Sequence, residues 1–158
     1  MFRGMRRFKQ EITKEQCVEL LKKEPRGVLS VMGEDGYPYG FPMNFTYDEK
    51  EEKIYFHCAK EGYKIDALRQ NNKASFCVYD KGYRKEGEWP LNIQSVIAFG
   101  SIAFVSNPQK TEQKVRELGL KYYPTAESVE VEIKNAVARV QLLEMTIDHM
   151  TGKLVNES

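Results

Sequence analysis

Two runs carry most of the chemical content, GYPYGFPMN (Gly36–Asn44) and IYFHCAKEGYKIDAL (Ile54–Leu68). Pro38 and Pro42 cannot donate ladder hydrogen bonds, so their strand belongs at the edge or opening of a sheet. The N–H groups that follow, on Met43 and Asn44, are then expected to face a ligand rather than a neighbouring strand. Lys64 stands where a helix is expected to begin, just after Gly62. A cation there opposes the positive end of the helix dipole unless an anion binds too. Gly62 allows close backbone approach, the helix start offers free N–H groups, and Lys64 adds a full charge. Together these features suit a flat polar ring on a sheet edge with its phosphate held beside it. The plainer reading of Lys64 is a solvated surface lysine, with Asp66 satisfying the dipole.

His57 ends an expected strand. Side-chain alternation puts Tyr55 and His57 on one face and Phe56 and Cys58 on the other. An imidazole there can hydrogen-bond a bound ring or shuttle a proton near neutral pH. A half-buried histidine with no catalytic role is the alternative. Cys58 and Cys77 read as small core residues, and Tyr37, Tyr39, Phe45 and Tyr47 read as sheet packing. Trp89, the only tryptophan, lies in a polar stretch. An exposed indole there implies an interface or a fold back onto the sheet.

The elements that must position these residues follow from local signals. Thr13–Gln16 is a capping box, so Lys14–Lys23 is expected as a surface helix ended by Pro25. Arg26–Met32 reads as a strand, Asp35-Gly36 as a hairpin turn and Tyr37–Tyr47 as the returning strand. Further strands are expected at Ile54–Cys58, Lys73–Asp80, Ser95–Val105 and Arg139–Ile147. Gly100 marks a bulge or a barrel corner. Helices are expected at Lys64–Gln70, from Asn107-Pro108 to about Tyr122, and at Glu127–Ala138. In the second of these, Val115 and Leu118 should face inward, with Tyr122 a further candidate for that face. Lys81–Gln94 reads as a loop and HMTGKLVNES as a polar tail. Six largely consecutive strands with inserted helices fit a single α+β domain over 1–158, an antiparallel barrel rather than a βαβ fold.

The totals narrow the function classes. The chain has 158 residues, enough for one real core, and 24 basic against 23 acidic residues. A net charge of +1 argues against a general nucleic-acid binder. The basic start MFRGMRRFK is followed by no apolar run, so neither a secretory signal nor a membrane span is expected. The three cysteines form no CxxC pair and the two histidines lie far apart, so no zinc or other metal site and no disulfide framework is expected. A cytoplasmic protein with free thiols is the expectation.

The ordered set MRR, GYPYGFPMNF (Gly36–Phe45), IYFHCAKEGYKIDAL, SFCV (Ser75–Val78), SVIAFG (Ser95–Gly100), KYYP (Lys121–Pro124) and IDHMTGK (Ile147–Lys153) runs end to end. On these motifs the chain resembles the FMN-binding split-barrel superfamily of pyridoxamine 5′-phosphate oxidase-like proteins, in its nitroimidazole-resistance branch. The resemblance implies a six-stranded antiparallel split β-barrel with peripheral helices. It also implies a homodimer with FMN at the subunit interface. Lys64 would hold the phosphate, Pro42, Met43 and Asn44 would meet the ring edge, and His57 would lie close to the flavin. Trp89, Gln94 and Ser95 match the region that the partner subunit offers. The candidate cofactor set is completed by Cys58, Ala59 and Gly62, with His57 as the catalytic candidate. The chemistry implied is electron transfer from reduced flavin to a small flat acceptor such as a nitroaromatic. A flavin carrier or sensor without turnover is the alternative. Pyridoxamine phosphate oxidation is disfavoured, because Gln94-Ser95-Val96 and the tail lack the arginines that would grip a second phosphate.

Overall fold

Apolar residues recur at every second position in the strand-forming runs, and this period decides which face each strand buries. The structure, a computed structural model, describes residues 1–157. Its strands are β1 (Gly27–Met32), β2 (Pro38–Met43), β3 (Thr46–Asp48), β4 (Lys53–Ala59), β5 (Lys73–Tyr79), β6 (Leu91–Val105) and β7 (Val140–Glu157). They form one antiparallel sheet in the spatial order β2-β1-β5-β6-β7-β4-β3. Leu29, Phe41, Ile54, Phe56, Phe76, Val96 and Leu143 share a single buried core. The rings of Phe45 and Phe56 both pack edge-on against Phe76, at 4.8 and 4.9 Å. Strands near opposite edges of the sheet therefore meet across one interior, as a curled, unclosed barrel requires.

The opening lies between β2 and β3. These are neighbours in the chain, joined only by Asn44 and Phe45, yet they form the two outer edges of the sheet. The expected single strand Tyr37–Tyr47 is thus two strands, and the barrel has seven strands rather than six. The tail also departs from expectation. HMTGKLVNE continues β7, pairing back to Leu91 along an extended β6, so the loop before β6 ends four residues earlier than Gln94. Gly100 sits where the β6–β7 register shifts, as expected. A Cβ there would lie 2.0 Å from the Thr146 carbonyl oxygen, so only glycine fits the bulge.

Among the described residues, four α-helices cover what the sheet leaves open. α1 (Lys14–Lys23) starts with the capping box, in which Gln16 N–H donates to Thr13 and Thr13 N–H donates to Gln16. α1 and α2 (Tyr63–Gln70) bury Cys17, Leu20, Leu21, Ile65, Ala67 and Leu68 in the barrel core. α3 (Pro108–Tyr122) is started by Asn107 with Pro108 in its first turn, and α4 (Ala126–Ala136) packs on it. α3 lies against β3, β4 and β7. Its buried face holds Thr111, Lys114 and Leu118, with Val115 only half-buried. Lys114, 2% exposed, is paired with Asp48 and Glu117. Glu144 on β7 accepts from Lys53, Lys110 and Tyr55. No helix among the described residues is long and apolar enough to cross a membrane.

Candidate functional site

Lys64 lies in the first turn of α2, and its surroundings are apolar. Its ammonium stands 3.8 Å from the Met43 sulfur and 4.6 Å from the centre of the Phe41 ring. Among the described residues it has no carboxylate partner, and Asp66 does not reach it. Gly62 begins the helix with φ 133°, a conformation that side chains resist, and no side chain caps the helix start. The Ile65 and Asp66 N–H groups turn back to the Gly62 carbonyl. The free donors of Tyr63 and Lys64 then remain at the helix end beside an unneutralised cation. An anion meets both needs, which is the fit a phosphate requires.

The edge strand β2 adjoins this cation. Pro42 and Pro38 lack N–H groups, so Val28–Pro42 and Met32–Pro38 are non-bonded pairs of the β1–β2 ladder. Alternation makes Leu29–Phe41 and Gly27–Met43 the bonded pairs. Met43's N–H is therefore committed to β1, which corrects the expectation that it faces a ligand. Asn44's N–H has no protein acceptor among the described residues. Its side-chain carbonyl accepts from Arg26 at 3.0 Å. Pro42 and Gly40 are exposed on the outward face, while Phe41 and Met43 point inward.

His57 alternates with Phe56 and Cys58 as expected, on the outer face of β4 opposite Leu142. Burial pushes its pKa below the ordinary histidine value. Cys58 lies on the inner side, packed against the core. Burial raises its thiol pKa, and the nearby Lys64 charge partly offsets that. Ala59 closes β4, exposed, before the loop to Gly62. The structure thus brings Met43, Cys58, Gly62 and Lys64 to one corner, with Pro42 and Asn44 on the adjoining edge.

Trp89, Gln94 and Ser95 form a separate group. Trp89 is 79% exposed, its carbonyl accepting from Arg84. Gln94 and Ser95 lie on β6, Gln94's N–H donating to Asp80. Among the described residues no hydrogen bond joins this group to Lys64 or β2.

Two residues were not read as site residues from the sequence. Lys121 and Tyr122, at the end of α3, reach the backbone of Phe45 in the β2–β3 link. Lys121 donates to the Phe45 carbonyl at 3.1 Å, and the Phe45 N–H donates to the Tyr122 hydroxyl at 3.0 Å. Burial lowers the Lys121 pKa to about 8. Their signal in sequence is the KYYP motif, whose partner Phe45 is too distant in the chain for a spacing argument.

The pattern of a protein family described as pyridoxamine 5′-phosphate oxidase matches residues 13–154. No curated protein matches the chain. Among solved structures, a candidate 5-nitroimidazole antibiotic resistance protein from Bacteroides thetaiotaomicron superposes with a TM-score of 0.77 at 21% identity, covering 93% of this chain and 87% of that one. A conserved hypothetical protein from Mycobacterium tuberculosis gives 0.80 at 14% identity, over 95% and 90% of the two chains. An FAD and heme binding protein from Mycobacterium smegmatis gives 0.74 at 20% identity, over 92% and 73%. At these identities the likeness is one of fold.

Proposed function

The chain belongs to the pyridoxamine 5′-phosphate oxidase family, and from that premise we propose that it is a flavin-binding protein that passes electrons to a small flat acceptor. The observation that carries this reading is Lys64, a cation that among the described residues has no carboxylate partner, at an uncapped helix start beside a sheet edge. The flavin is FMN in this reading. Lys64 and the first N–H groups of α2 bind its phosphate, and Asn44's N–H meets the ring edge. The bound flavin supplies the redox chemistry by accepting and releasing electrons. The FAD-binding neighbour supports the flavin class. The nitroimidazole-resistance neighbour supports a nitroaromatic as the acceptor. His57 is assigned the proton that accompanies acceptor reduction.

The working unit is a homodimer in the cytoplasm. Met32, Tyr79, Ile97 and Phe99 all stand exposed on the outward face of β1, β5 and β6. Among the described residues α1 and α2 turn their apolar side chains into the core, and Phe2 and His149 stack on Phe99 at the edge of that face. A second copy is the partner that would cover it, bringing its Trp89, Gln94 and Ser95 to the flavin. The free thiols of Cys17, Cys58 and Cys77 fit a reducing compartment.

A carrier or sensor is the second reading. One observation favours it: His57 makes no side-chain hydrogen bond among the described residues, so nothing orients it for proton transfer. Reduction of the FMN-loaded protein with dithionite, followed by a nitroaromatic without oxygen, separates the two. Reoxidation at a rate set by the nitroaromatic concentration supports the oxidoreductase. Flavin that stays reduced supports the carrier, and protein that takes up no flavin rejects both.

A further inference from the structure

The β2–β3 break is held from outside the sheet. The Tyr122 hydroxyl has one proton and lies 2.6 Å from the Pro25 carbonyl oxygen and 3.0 Å from that of Phe45. The shorter contact takes the proton, so this hydroxyl donates to Pro25 and accepts the Phe45 N–H at 3.0 Å. The Phe45 carbonyl is then left for Lys121, whose ammonium is 3.1 Å away and also 3.7 Å from the centre of the Phe45 ring. A second donor contact ties Lys121 to the Leu21 carbonyl on α1 at 3.4 Å. Both backbone groups of Phe45, which strand pairing would ordinarily take, are therefore committed to the end of α3. Meanwhile the Phe45 ring is fully buried against Phe76. Its neighbour Asn44 has no acceptor for its N–H among the described residues, and its side chain is fixed by Arg26 at 3.0 Å.

We propose that Lys121 and Tyr122 are positioning residues: by clamping the Phe45 backbone they hold the sheet open at the β2–β3 link and aim the Asn44 N–H at an acceptor atom on the edge of the bound flavin ring. This rests on the flavin reading above. The clamp touches neither the phosphate nor the redox centre. Its loss acts on the ring and spares the phosphate contact.

Tyr122→Phe, Lys121→Met and Lys121→Arg test it, with two readouts. The first is amide hydrogen exchange at Phe45 in the flavin-free protein. The second is the affinity for FMN and for riboflavin. Tyr122→Phe and Lys121→Met are expected to speed exchange at Phe45 while exchange in β5 and β6 stays slow. Both should weaken FMN and riboflavin by the same factor, about threefold to tenfold. Lys121→Arg keeps a donor and should stay near wild type in both readouts. Unchanged exchange at Phe45 would overturn the clamp. Faster exchange with unchanged flavin affinity would overturn its positioning role, as would a loss confined to FMN. Exchange raised throughout the sheet would make both residues general stabilisers and reject the proposal. Wild-type protein that binds neither flavin would remove the flavin reading itself, an outcome read before any variant is made.

Discussion

At the scale of single residues, Lys64 and His57 make different claims. In the proposed reading Lys64 is a charge contact to the flavin phosphate, so its removal should discriminate between ligands that differ only in that group. A hydrogen bond to a charged group contributes about 1.5–3 kcal/mol, and ~1.4 kcal/mol is a factor of ten. Lys64→Ala is therefore expected to weaken FMN roughly 10- to 100-fold and to leave riboflavin nearly unchanged, by fluorescence titration. Equal losses for both would make the effect one of folding. His57 sits on the outer face of β4 with its pKa lowered by burial, and its side chain makes no hydrogen bond among the described residues. His57→Ala should keep the FMN affinity and slow nitroaromatic-driven reoxidation of the reduced flavin. Unaltered reoxidation would make His57 a bystander, and lost FMN would make it a binding residue.

At the scale of elements, α3 is fastened to the sheet by ion pairs rather than by a continuous apolar stripe. Burial alone would raise the Glu144 pKa, but hydrogen bonds from Lys110, Lys53 and Tyr55 outweigh it and hold the carboxyl at about 2. Its ordinary value is 4.5, so the folded state favours the ionised form. The stabilisation from this group is complete above about pH 4.5 and is lost as pH falls towards 2. Glu144→Gln should lower the melting temperature at pH 7, and the gap to wild type should close as pH falls through that window. A gap that stays constant down to pH 2.5 would show that Glu144 is not the acid-sensitive fastening. The ends of α1 and α3 were legible in the sequence because their signals are local: the Thr13–Gln16 box, and Asn107 followed by Pro108. The β2–β3 break was not legible, because its cause, Tyr122, lies 77 residues from Phe45 in sequence. The strand formed by the polar tail was hidden for the same reason, since its ladder is made with Leu91–Phe99, far upstream. Of the candidate site, the Lys64 corner was readable from Gly62 and the proline spacing. The burial of Lys114 was not, because a lysine at a core position is justified only by carboxylates brought from β3 and its own helix.

For the whole molecule, the proposed reading covers the exposed apolar face of β1, β5 and β6 with a second copy. A stable interface of this kind buries on the order of 2,000 Å² or more. Sedimentation at micromolar concentration should give twice the 18.3 kDa chain mass. A flavin-loaded species sedimenting as a single chain would contradict the shared site. The flavin itself remains the central claim, and it has a direct measurement. Purified protein is mixed with excess FMN, passed through a desalting column, and its absorption spectrum is recorded. The account predicts that the flavin bands elute with the protein at about one FMN per chain, as an affinity in the micromolar range or tighter requires. Protein that elutes colourless, with all of the FMN in the salt volume, would contradict it.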